Sequence, residues 1–122
     1  MHSPPRPGQP EDVSLVQLIA NPDQFDGKLL RVIGFFCLQV EGDALYLHRE
    51  DYEYSIFKNG ISVDVTSPEI TSQRKALHAH YVLLEGVFNS KWQGHQAMWS
   101  GSLMKIRRAM PWRSRSEMMP PT

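Results

Sequence analysis

The run from Lys28 to Val40, KLLRVIGFFCLQV, is the longest apolar-rich stretch in the chain and constrains the fold more than any other feature. Its even-numbered positions, Leu30, Val32, Gly34, Phe36, Leu38 and Val40, are apolar or glycine throughout, the period-two pattern of a strand with one buried face. The run is about twice the usual strand length. Gly34 lies near its middle, where the missing side chain lets a strand bend as a barrel corner requires. A long strand with a bend of this kind serves two sides of a small barrel.

The 122 residues make one domain, enough to bury a core without a metal or disulfide staple. The net charge of zero divides unevenly. Residues 105–122 carry Lys105, Arg107, Arg108, Arg113 and Arg115 against Glu117 alone, so the remainder is acidic by the same amount. A binder of phosphate backbones needs a basic face, so this split disfavours nucleic acid as a partner of the barrel and leaves it to the tail. Cys37 is the only cysteine and has no internal disulfide partner. The opening MHSPPRPGQPED has no apolar segment to act as a signal peptide, and no later run approaches a membrane span; the expected compartment is the cytoplasm.

Residues 1–12 hold four prolines and no large apolar residue after the initiator, which predicts a disordered leader. Ser14 is the expected N-cap of a short helix over 15–20, closed by Asn21-Pro22, with Phe25 plugging the same end of the barrel. After the long strand, Glu41-Gly42-Asp43 marks a hairpin into a strand over 44–48, with Leu45 and Leu47 inward and Ala44, Tyr46 and His48 outward. Residues 49–58 suit a helical turn or structured loop over the barrel. Ile61, Val63 and Val65 alternate with Ser62 and Asp64 as a half-buried strand, and the polar stretch from Ser67 towards His78 accommodates a short helix. His80 to Asn89 reads as a central strand bending at Gly86, and 96–107 as the last strand, with Ser100-Gly101-Ser102 as a corner bulge. Residues 110–122 read as a flexible basic tail following a domain over 13–109.

Five strands with a long bent first one, and a short N-terminal helix and one or two connecting helices, predict a mainly β chain folded as an oligonucleotide/oligosaccharide-binding (OB) barrel; the alternative is an SH3-like barrel. The strings SLVQLIANPDQFDGK, RVIGF, EGDALYLHREDYEY, NGISVDV, YVLLEGVF, GH and SGSL, in that order, resemble a set of small uncharacterised bacterial proteins with OB-like folds. The resemblance spans roughly 14–106. It implies a bacterial, non-enzymatic barrel and carries no activity or functional residues with it.

Chemistry-bearing motifs are sparse. The glycines are scattered singly, with neither a P-loop nor a Rossmann spacing. Cys37 lies in the most apolar strand and reads as a packing residue, since reactivity needs an exposed electropositive setting. His78 and His80 share a strand face and with His48, His95 or Asp64 offer metal ligands, but three separate elements would have to converge, so no metal and no cofactor is expected. Glu41, Asp43, Glu50, Asp51 and Glu53, interleaved with Tyr46, Tyr52, Tyr54 and Phe57, combine the chain's densest acidic charge with its densest tyrosine content. As structural residues they would be a solvated face and a cover for the barrel; as functional ones they suit a docking surface for a basic protein. Trp92, His95 and Trp99 flank the last hairpin, where bases can stack on an OB barrel.

The first expectation is therefore a non-catalytic module that docks a protein, for instance a toxin or effector in an immunity-type role. Its partner-binding residues are Tyr46, His48, Glu50, Asp51, Tyr52, Glu53, Tyr54, Asp64, Trp92 and His95. The second is a single-stranded nucleic-acid module drawing its charge from the basic tail. An enzyme ranks third, and the oligomeric state is open.

Overall fold

The computed structural model describes residues 8–39, 42–92 and 98–118. In chain order these form β1 (Glu11–Asp12), α1 (Leu15–Ala20), a 3-10 turn (Pro22–Phe25), β2 (Leu29–Cys37), β3 (Ala44–Tyr46) and α2 (Arg49–Glu53). A second 3-10 turn (Phe57–Asn59) leads into β4 (Gly60–Val63), α3 (Pro68–Thr71), α4 (Arg74–Leu77), β5 (His80–Asn89), β6 (Ser102–Pro111) and α5 (Arg115–Met118). The sheet runs β1-β2-β3-β4-β6-β5, and β5 pairs again with β2, so β2, β3, β4, β6 and β5 close a barrel with β1 as an extra strand. Within the barrel only β4–β6 is parallel, and α3 and α4 occupy the connection between the third and fourth barrel strands. This is the OB-like arrangement.

The long strand does what its length and period demand. Residues Leu29 to Phe36 of β2 pair with β5, while Phe35 to Cys37 pair with β3, so one strand serves two sides. Gly34 sits where the second partner begins. A Cβ there would lie 2.7 Å from both the Tyr46 carbonyl oxygen and Leu15 Cδ1, closer than real Cβ contacts allow. The inward set Leu30, Val32 and Phe36 joins Leu45, Ile61, Val63, Val82, Leu84, Phe88, Leu103 and Ile106 in the main core. Helix α1 closes one end with Leu15, Leu18 and the nearby Phe25. Its capping box is complete: Ser14 Oγ accepts from the Gln17 backbone N–H, and Gln17 Oε1 accepts from that of Ser14.

Several boundaries differ from the sequence reading. The long strand ends at Cys37, and Val40 and Glu41 lie outside the described residues. β3 stops at Tyr46 because His48 already serves as the residue preceding α2, its N–H donated to Asp51 Oδ2 at 2.8 Å. β6 begins at Ser102 and runs on to Pro111, since β5 offers pairing positions for Met110 and Pro111 at Leu83 and Val82. The corner bulge accordingly lies near Lys105, which adopts φ 52°, opposite Gly86, rather than at Ser100-Gly101-Ser102. Lys105, Arg107 and Arg108 all lie in the barrel wall, and Met110 and Pro111, read as the start of the tail, lie there too. Trp112 extends the pairing by donating its N–H to the Tyr81 carbonyl at 2.8 Å, and Ser114 Oγ caps α5. At the other terminus Glu11 and Asp12, inside the stretch read as leader, pair in parallel with Leu30 and Arg31. Among the described residues no helix is long and apolar enough to cross a membrane.

Candidate functional site

The outward face of the β2–β3 hairpin is a second core. Phe35, Cys37, Ala44, Tyr46 and Trp99 are buried together, with Tyr52, Phe57 and Met98 packed against them. The segment holding Trp99 is pinned to the second 3-10 turn: Lys58 Nζ donates to the Trp99 carbonyl at 3.1 Å, and Ser100 Oγ donates to that of Lys58 at 2.8 Å. Trp99 Nε1 reaches the Tyr46 hydroxyl at 3.4 Å, and burial pushes that phenol above its ordinary pKa. Cys37 has the same fate; burial drives its thiol up to about 12, only partly countered by the Arg49 charge, so it has no thiolate to react with.

This second core dissolves much of the expected acidic-aromatic surface. Tyr46 is 1% exposed and cannot touch a partner. Asp51 is also buried, its two oxygens accepting from the His48 N–H and from Asn59 Nδ2, which ties the start of α2 to the 3-10 turn. Tyr52 is half-buried against Phe35 and Tyr46, its hydroxyl accepting from Gln39 Nε2. His48, Glu50, Glu53 and Tyr54 remain at the surface, Tyr54 at 76% exposure. Asp64 lies just beyond β4 and accepts from the Thr66 N–H and hydroxyl, the task of a turn residue. Trp92 is exposed but follows the far end of β5, and His95 lies outside the described residues. The nine described positions therefore do not form one patch.

A different site forms where β5 starts and β6 ends. A cavity of about 800 Å³ is lined by Arg49, Ala76, Ala79, His80, Tyr81, Pro111, Trp112, Arg113, Ser114, Arg115 and Glu117. Tyr81 faces outward because its alternates in β5, Val82 and Leu84, point into the main core, and Trp112, whose N–H pairs with the Tyr81 carbonyl, is exposed as well. Phe35 meets Tyr81 edge-on at 5.4 Å between ring centres, and the Arg49 guanidinium lies 5.3 Å above the Phe35 ring. Three guanidinium groups and two exposed rings thus share one cleft with a single carboxylate, Glu117. Comparison with protein-family models, with curated proteins and with solved structures finds no match. The cleft must be interpreted from its own chemistry.

The same outer face continues along the strands. Register places Ile33, Leu83 and Met110 side by side, and next to them Arg31, Glu85 and Arg108. Glu85 is 4% exposed although it points away from the barrel interior, because guanidinium groups cover it. Arg31 Nη2 lies 2.9 Å from Glu85 Oε1, Arg108 Nη1 3.3 Å from the same oxygen, and Arg107 Nε 3.2 Å from Oε2. Burial alone would raise the Glu85 carboxyl; the hydrogen bonds from Arg31 and Arg107 and the neighbouring charges outweigh it and hold the group below the ordinary glutamate value. Asp12 adds one more carboxylate, 3.4 Å from Arg31 Nη1.

His78 and His80 take structural parts. His78 Nδ1 accepts the Leu38 N–H at 2.9 Å, so that lone pair is already used, and His80 Nδ1 donates to the His78 carbonyl at 2.7 Å. Among the described residues no group of three or more metal-ligating side chains converges. Sequence reasoning missed Tyr81, Glu85, Arg31 and Arg49 as site residues. A signal did exist: the alternation within HYVLLEGVF places Tyr81, Leu83 and Glu85 on one face, and a glutamate in so apolar a strand needs cationic neighbours.

Proposed function

We propose that the protein is a non-catalytic binding module for single-stranded nucleic acid, with the cleft at Tyr81 and Trp112 as its docking point. The observation that carries this reading is the meeting of two exposed aromatic rings with Arg49, Arg113 and Arg115 in one cavity. Unpaired bases stack on such rings at about 1–3 kcal/mol each, and planar guanidinium groups grip phosphate oxygens two at a time. The uneven division of charge takes on another meaning in the fold, because Arg107 and Arg108 stand on the outer wall at Glu85, beside the rank of Leu83 and Met110 that runs on to Tyr81. The β3 side of the barrel, part of the surface on which OB barrels commonly hold ligands, is occupied by Trp99 and Phe57. An alternative face suits a ligand better.

Fluorescence anisotropy with labelled single-stranded oligonucleotides tests this. Binding should weaken linearly in log K as log salt rises, and fall roughly tenfold or more for Trp112→Ala, the loss of about one stacked base. An acidic peptide of equal length that binds as tightly, or a Trp112→Ala variant that binds as the parent does, overturns the reading. A protein partner at α2 is the second reading, carried by the exposure of Tyr54 and Ile56 beside Glu50 and Glu53. It has lost Tyr46 and Asp51 as anchors.

A further inference from the structure

We propose that the Arg31–Arg107–Arg108 cluster, held in place by the buried carboxylate of Glu85, is a second phosphate-contact site that receives the strand as it leaves the cleft; this rests on the nucleic-acid reading. Three guanidinium groups converge on one carboxylate, so the cluster keeps a positive surplus even with Asp12 counted. Such a surplus at fixed positions is costly for folding alone, since like charges repel. An anion arriving from outside relieves it.

The geometry favours a receptor over a plain ion-pair network. Glu85 takes the inner edges of the guanidinium groups: Arg31 through Nε and Nη2, Arg108 through Nη1 and Arg107 through Nε. Among the described residues Arg107 is bonded only through that Nε, and its two terminal amino groups carry the donors that suit a phosphate. The arginine side chains are 32% to 50% exposed, while the carboxylate beneath them is closed off. Their rotamers are already restricted by Glu85 and by the Arg108–Met110 sulfur contact at 3.4 Å, so much of the ordering entropy of binding is spent in advance. Glu85 is thus a positioning residue, not a ligand contact.

Placement agrees. Glu85 and Tyr81 are on one face of β5, four residues or about 13 Å apart at the usual strand rise, with the apolar rank of Ile33, Leu83 and Met110 between them. A ligand of two or three nucleotides fills the cleft alone, whereas a longer strand reaches both sites.

The experiment compares a trinucleotide and a dodecanucleotide of thymidine on the full chain, with each variant's fold checked by circular dichroism. In the parent the longer strand should bind more tightly and with a steeper salt slope. Arg107→Ala, which leaves Arg31 and Arg108 on Glu85, should weaken the dodecamer several-fold, lower its slope by about 0.7 and leave the trimer unchanged. Arg107→Lys should restore much of the slope and less of the affinity, since a point charge lacks the guanidinium fork. If Trp112→Ala weakens both lengths while Arg107→Ala changes neither, the second site is overturned and the cleft stands. If the parent binds neither strand, both ideas fail together. Should Arg107→Ala not fold, equal affinity and equal slope for the two lengths in the parent overturn the second site by themselves.

Discussion

Strand β2 supplies two outward-facing patches with opposite fates. Near its end Phe35 and Cys37 point away from the barrel interior yet are sealed beneath α2, the second 3-10 turn and Trp99. A few residues earlier Arg31 and Ile33, on the same face of the same strand, stay at the surface beside Glu85 and Leu83. The path of the chain after β3 makes the difference. That strand ends after three residues, and the chain folds straight back over the hairpin as α2, whereas among the described residues no helix crosses the face made by β2, β5 and β6 at Arg31 and Ile33. The residue types agree with their fates. The closed patch is built from Phe35, Cys37, Ala44 and Tyr46, and the open one from arginines, a glutamate and rings left partly bare.

The largest effect that would break this contrast concerns Trp99. Trp99→Ala should cost about 3–5 kcal/mol of stability by urea denaturation, as expected for a buried ring that leaves a cavity, with no change in oligonucleotide affinity once folded. A loss below about 1 kcal/mol would mean the closed patch is not a core. On the open side, Glu85→Gln should cost about 1.5–3 kcal/mol, the worth of hydrogen bonds to charged partners, and the loss should depend on pH. The carboxyl titrates below an ordinary glutamate in the folded chain. Its contribution is therefore fully present above about pH 4.3, the unfolded value, and disappears as pH falls through the lowered folded value; parent and variant should converge there. Denaturation curves whose difference persists at low pH would contradict the ion-pair account.

Smaller effects sharpen the comparison. Trp112→Ala should move stability far less than Trp99→Ala, because the ring is 40% exposed, while its effect falls on binding. Smallest of all, Tyr54→Ala should alter stability by no more than about 0.5 kcal/mol and leave oligonucleotide affinity untouched. A marked loss of affinity from Tyr54→Ala would move the site to α2. Cys37 provides a check without mutation: native protein should resist a thiol reagent that labels the chain fully in denaturant, since the thiol is buried and pushed up to about 12.

Much of the barrel is legible in the residues themselves. The alternation in residues 28–40 places Leu30, Val32 and Phe36 inside, Ser14 announces its helix, and HYVLLEGVFN matches β5 residue for residue. The site is not legible in the same way. A dense acidic-tyrosine segment stands out in one dimension, but Tyr46 and Asp51 are recruited to internal roles, Tyr46 in a second core that depends on Trp99, far along the chain. Met110, Pro111 and Trp112 read as tail because the residues past Ala109 show no regular period, and only their pairing with Leu83, Val82 and Tyr81 makes them part of the wall.

Local chemistry determined where strands and helices start, which side of each strand is apolar and where a missing side chain is needed, because period, capping and steric space act within a few residues. Only tertiary structure decided which outward faces are covered. Burial of a second face depends on where distant segments land, and register across β2, β5 and β6 is what sets three arginines around Glu85 and brings Trp112 beside Tyr81.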